Sequence, residues 1–220
     1  MEKKYLQFKI SKNIDINLFF EYIKQSKNNK ETLSKFIDKD NFYIDREQVF
    51  YFVNRVYERD SDNIEKNIKK VEDSWNLKQD FFDKEIIRLF KSDAYPQGNI
   101  NAYPSIWPIY GRSFDKSLIT FPYKNGVNEA VFVLSHEILH IIFYDYIFLK
   151  YKFSSEKMSS KKVWDFSEVI NVIIQNQKEW RKNYILEAKP YFEHQALYNK
   201  LLKLWNKNPD IDFLIKNCLF

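Results

Sequence analysis

Apolar residues recur at helical spacing through most of the first 95 positions. Leu18, Phe19, Tyr22 and Ile23 form one stripe, and Val49, Phe52, Val53 and Val56 a second. Phe81, Phe82, Ile86, Ile87 and Phe90 form a third. Each is the face that an amphipathic helix turns toward a neighbour. The second stripe stands behind Asp45 and Gln48, the spacing at which two side chains cap a helix start reciprocally. Before the first stripe, Tyr5–Ile10 reads as a short strand.

Helix breakers divide the chain. Positions 1–95 contain neither Gly nor Pro; then Pro96, Gly98, Pro104, Pro108, Gly111, Pro122 and Gly126 crowd together, and 127–189 again contain neither. Within the crowded stretch, Ile106–Tyr110 and Leu118–Tyr123 are rich in β-formers and predict a hairpin or a pair of short strands. Asn125 and Gly126 make a turn, with Asn128 as N-cap of the next helix. Pro190 opens a last amphipathic helix through His194, Leu197, Leu201 and Leu204. The pattern predicts an α+β, predominantly helical protein: a helical N-terminal region over 1–95 and a second region over 96–220, together one compact unit.

Composition narrows the chemistry. With 220 residues, 45% of them hydrophobic, the chain buries a real core. Its three glycines, Gly98, Gly111 and Gly126, lie too far apart for a phosphate-cradling loop, which excludes Rossmann dehydrogenases and P-loop NTPases. Cys218 is the single cysteine, so intrachain disulfides and Cys-rich metal sites drop out. Basic residues outnumber acidic ones 35 to 30, but they interleave, as in Glu65, Lys66, Lys69, Lys70, Glu72 and Asp73, the pattern of a solvated helix face. No nucleic-acid partner is expected. The first residues lack the apolar run of a signal peptide, and Ile138–Leu149, the most apolar stretch, is broken by His140 and Asp145. A cytoplasmic protein with no membrane partner is the expectation.

The chemistry concentrates at Ser135, His136, Glu137, Ile138, Leu139 and His140, an HExxH motif inside a helical run. Two imidazoles four residues apart stand one above the other on one helix face, within reach of a single ion. Glu137 lies about 100° round the helix from His136, where it meets metal-bound water and takes its proton without being a ligand. Random ordering of this composition would supply roughly 0.003 such motifs, and two of the three histidines are spent on this one.

With Val133 and Leu134 before it and Ile138, Leu139, Ile141 and Ile142 in and after it, this segment resembles the zincin superfamily of metallopeptidases. The resemblance covers about residues 103–180 and implies a zincin-like core, with a small β-sheet before the HExxH helix offering an edge strand, here Leu118–Pro122, to an extended peptide. Phe143 and Tyr146 stand where metzincins carry Gly and a third His, so that branch is excluded. Asp145 lies about 140° off the face of His140. The gluzincin pattern instead implies a Glu on a downstream helix as third ligand. Residues 164–179 read as that helix, and Glu168 sits in its apolar part, with Asp165, Glu187, Glu193 and His194 as alternatives. No Asp follows Glu168 to support a ligand histidine; only Asn171 stands nearby. His194, Tyr184 and Tyr191 are candidates for stabilising an oxyanion, as a downstream His or Tyr does in several gluzincins.

The reading is a hydrolase of peptide bonds with one Zn2+ per chain on His136, His140 and Glu168, Glu137 as general base and His194 as oxyanion stabiliser, acting on a peptide or protein substrate. The alternatives are a non-catalytic helical interaction module that retains the motif, or a basic nucleic-acid binder.

Overall fold

The computed structural model describes residues 5–25, 27–37, 44–91, 98–113 and 117–220. It is α+β and predominantly helical, with one small mixed sheet. The chain divides into two compact units interleaved in sequence, Met1–Asp73 with Asn99–Ala130 and Ser74–Gly98 with Val131–Phe220. The break expected at 95/96 lies outside the described residues.

In the first unit, β1 (Leu6–Phe8) leads into α1 (Lys12–Ile23) and α2 (Lys27–Ile37), and then into the N-terminal part of α3 (Arg46–Phe90). The last two apolar stripes of the sequence lie on this single 45-residue helix, which no Gly or Pro interrupts. Its start is the expected reciprocal cap: Gln48 N donates to Asp45 Oδ1 at 2.8 Å, and Asp45 N donates to Gln48 Oε1 at 3.0 Å. Strands β2 (Ile100–Ser105), β3 (Gly111–Ser113) and β4 (Leu118–Pro122) complete a sheet in the order β1-β2-β4-β3. β1 and β4 run parallel to β2, and β3 runs antiparallel to β4.

Two expectations about the strands are corrected. Ile106–Tyr110 is not a strand; β4 pairs antiparallel with Gly111–Ser113, directly after it, and parallel with Ile100–Ser105, before it. Pro104 is tolerated inside β2 because of its side. Ile100 N and Ala102 O bond toward β1, while Asn101 N and Ser105 O bond toward β4, so position 104 faces β1 just beyond the last bond from Lys9 N. The second correction is that Leu118–Pro122 is no edge: β2 and β3 occupy both its sides, and β1 and β3 are the sheet's edges. The core of this unit gathers Phe19, Leu33, Val49, Val53 and Ile64 around Trp107, on which Phe52 stacks at 5.5 Å between ring centroids.

The second unit is helical. It contains the C-terminal part of α3 and most of α4 (Val127–Tyr151), followed by α5 (Ser155–Met158), α6 (Lys161–Gln175) and α7 (Lys178–Tyr184). A single 3-10 turn, Phe192–His194, then feeds α8 (Gln195–Lys207) and α9 (Ile211–Cys218). α4 begins at Val127, so its cap is Gly126, whose carbonyl accepts from Ala130 N, and Asn128 lies inside the first turn. Pro190 likewise precedes a 3-10 turn instead of opening a helix.

α4 is long and apolar enough by length and composition to cross a membrane, contrary to the expectation that no stretch approaches a span, but 67% of its apolar window is buried within the protein. The core stacks Trp180 on Tyr184 at 5.3 Å, with Phe81 and Phe82 edge-on at 5.6 Å. At the far end of α4, Asp212 accepts hydrogen bonds from Tyr146, Lys150, Tyr151 and Lys91, which ties α9 to α4.

Candidate metal centre

The centre is built by two helices of the second unit. α4 is apolar nearly all round, so burying it also buries the two histidines of its motif: His140 is inaccessible, and the His136 side chain keeps 18% of its exposure. α6 starts at Lys161 under a cap in which Ser160 Oγ accepts from Val163 N. Glu168 is therefore two turns inside the helix and 6% exposed, too deep to serve as a first-turn acid complementing the helix dipole.

His136, His140 and Glu168 gather one ligand atom each within 4.8 Å of one another. The two Nε2 atoms lie 3.0 Å apart; Glu168 Oε2 is 3.4 Å from His136 Nε2, and its Oε1 is 3.3 Å from His140 Nε2. Ligands about 2.0–2.1 Å from a tetrahedral zinc stand about 3.3 Å from one another, which is near the separation of each Nε2 from its nearer Glu168 oxygen, while the two Nε2 atoms stand somewhat closer.

The ring orientations agree. His136 Nδ1 is 2.8 Å from Gln175 Oε1, while the amide nitrogen of Gln175 donates to Phe132 O at 3.1 Å and to Ser135 Oγ at 3.0 Å. With its nitrogen so engaged, Gln175 presents its oxygen and fixes the proton of His136 on Nδ1. Ser167 Oγ donates to Trp164 O at 2.9 Å and accepts from His140 Nδ1 at 3.1 Å. Both histidines thus turn an unprotonated Nε2 inward, and two lone pairs converge with a carboxylate. That donor set could hold a cation.

The charges respond to this crowding. Where a proton stands in for the cation on Nε2, burial still opposes ionisation of Glu168, but the hydrogen bonds from His136 and His140 outweigh it and hold the carboxyl far below the usual carboxylate range. Burial alone would lower the pKa of His136; Glu168, Glu137 and Gln175 together raise it above the ordinary value. Glu137 is buried and close enough to act on His136 electrostatically, yet it is not one of the three converging ligands.

The other candidates are placed elsewhere. Asp165 pairs with Lys161 at 2.6 Å and with His194 Nε2 at 3.0 Å; Glu187 reaches Arg181 at 3.7 Å; Glu193 is exposed. None belongs to the converging group. Tyr184 is a core side chain, packed against Trp180 and Phe132. Asn171 donates to the backbone carbonyl of His136 and supports neither imidazole.

A small cavity of about 130 Å³ adjoins the centre, lined by His136, Glu168, Val172, His194 and the segment Lys189–Tyr191. His194 is 2% exposed, its Nδ1 has no hydrogen-bond partner, and its ring packs edge-on against Trp164 and Tyr191. Gln175 and Ser167 escaped the sequence reading. Their signal is a polar residue inside an apolar helix, Gln175 seven positions and two turns after Glu168, Ser167 directly before it. Compared with protein-family models, curated proteins and solved structures, the chain matches none.

Proposed function

We propose that this chain is a zinc-dependent hydrolase of peptide bonds with a zincin-like, gluzincin-type core. The observation that carries the reading is the convergence of His136 Nε2, His140 Nε2 and one carboxylate of Glu168 at 3.0, 3.3 and 3.4 Å, each histidine held in the ligating tautomer by a neighbour.

His136, His140 and Glu168 hold the metal. Bound there, zinc would supply Lewis acidity and lower the pKa of a water. Glu137, one position past the first ligand, takes the proton of the attacking water and delivers it to the leaving amine. His194 faces the same cavity, its ring fixed by Asp165 through Nε2, and stabilises charge developing on the scissile oxygen.

The test separates holding the metal from using it. Protein purified without added metal should carry about one zinc per chain by elemental analysis, removable by chelator. Glu137→Gln should keep that zinc while peptide cleavage falls by a factor on the order of 10² to 10⁴. Glu168→Gln should lose zinc first and activity with it. Zinc lost from Glu137→Gln but retained by a fully active Glu168→Gln would reverse the roles. Zinc without cleavage of any peptide in a broad library would leave a non-catalytic metal module.

A further inference from the structure

The segment between α7 and the 3-10 turn, residues 185–191, has no regular secondary structure, yet it is pinned at one point. Asn176, the C-cap of α6, donates through Nδ2 to Ala188 O at 2.9 Å and accepts at Oδ1 from Ala188 N at 3.0 Å. A side-chain amide here does what a neighbouring strand would do, bonding both main-chain groups of one residue. Exposure along the segment alternates: Glu187 and Lys189 are exposed and Ala188 is buried, the period-two pattern of extended chain. Pro190 also biases Lys189 toward extended conformations.

In extended chain the N–H and C=O of one residue point to one side, and those of its neighbours to the other. Because Asn176 occupies the Ala188 side, the main-chain groups of Lys189 face away from it, and none of the main-chain hydrogen bonds of the described residues uses them. Lys189 lines the cavity beside His136 and Glu168, and Pro190, without an N–H, makes Lys189 the last donor before the turn.

We infer that residues 187–189 act as a one-strand docking edge: the main chain of Lys189 pairs with an extended peptide and lays it beside His136 and Glu168. This rests on the peptidase reading, and it supplies the edge that the interior strand β4 cannot offer.

The test uses the zinc-loaded full chain and a peptide that it cleaves, found by mass spectrometry in a random-sequence library. The peptide is N-methylated at each residue in turn from three before to three after the scissile bond. Alternate positions on one side of that bond should raise KM about tenfold, with kcat changed less than threefold. In the protein, Lys189→Pro removes the N–H, and Lys189→Ala, which keeps it, is the reference. Lys189→Pro should show KM about tenfold above that reference at equal zinc content. Cleavage with equal KM for the two variants, or with no position sensitive to N-methylation, overturns the docking edge and leaves the peptidase reading standing. A zinc-loaded chain that cleaves no peptide overturns both.

Discussion

Each unit encloses a buried carboxylate among polar neighbours, and the two are satisfied in opposite ways. In the first unit Asp15 is 1% exposed and its oxygens meet donors: Ser105 Oγ at 2.5 Å, Tyr57 OH at 2.8 Å and Ile106 N at 3.2 Å. Trp107 adds Nε1 to the Asp15 carbonyl at 2.8 Å, and its backbone N donates to Ser105 Oγ at 3.1 Å. The protein itself completes that network, which fastens α1 and α3 to the segment after β2. In the second unit Glu168 meets two imidazoles whose protons are drawn away by Gln175 and Ser167. Acceptors there face acceptors. A closed network of donors and acceptors stabilises a fold, whereas convergent lone pairs mark a place where a ligand completes the structure.

The most severe break of this comparison exchanges the losses. His136→Ala combined with His140→Ala should take zinc from about one per chain to none. Asp15→Ala should do the reverse, keeping zinc but losing roughly 2–5 kcal/mol of stability, since two buried donors and one half-buried donor lose their acceptor. Elemental analysis and denaturant unfolding of both variants decide it. Undiminished zinc in the double histidine variant would remove the metal centre from consideration.

How far the sequence revealed this difference depends on whether a feature is local. The histidines are legible because four-residue spacing on a helix is set by the backbone alone, and the cap at Asp45 and Gln48 is legible for the same reason. Glu168 needed the resemblance, since nothing in spacing links residues 28 positions apart. The partners Gln175 and Ser167 were missed because polar side chains in an apolar helix disclose their role only when the facing helix is known. β2 was missed because Pro104 and Pro108 read as punctuation, while the tolerance of Pro104 comes from where β1 ends. Asp15 drew no notice at all: its donors arrive from positions 57, 105 and 106.

A milder change sharpens the comparison from the side of the metal centre. Gln175→Ala removes the acceptor that keeps the His136 proton on Nδ1, yet leaves all three ligands in place. Zinc affinity, measured by competition with a chromophoric chelator, should fall about 10- to 100-fold. Ser167→Ala acts through His140 and should fall in the same range. Were both variants to bind zinc like the parent, the neighbours of the histidines would be fold contacts only, and the distinction between the two carboxylate networks would rest on the ligands alone.

The smallest expected effect lies in the closed network and is read through pH. Burial pushes the Asp15 carboxyl up to about 6, and the hydrogen bonds from Ser105, Tyr57 and Ile106 only partly offset it. The ordinary value of 3.8 applies in the unfolded chain, so the folded state holds the proton more tightly. A group of this sign contributes stability that is fully present below pH 3.8 and is lost as pH rises through 6. Between pH 5 and pH 7 the parent should therefore lose on the order of 1 kcal/mol from this residue alone. Asp15→Asn carries no titrating proton, so its stability relative to the parent should improve by that amount over the same interval, with all other titrating groups common to both proteins. Urea unfolding of the pair at pH 5 and pH 7 gives the difference directly. A parent that gains on the Asn variant as pH rises would mean that Asp15 is ionised and favourably held, so that its burial is fully compensated by its three donors.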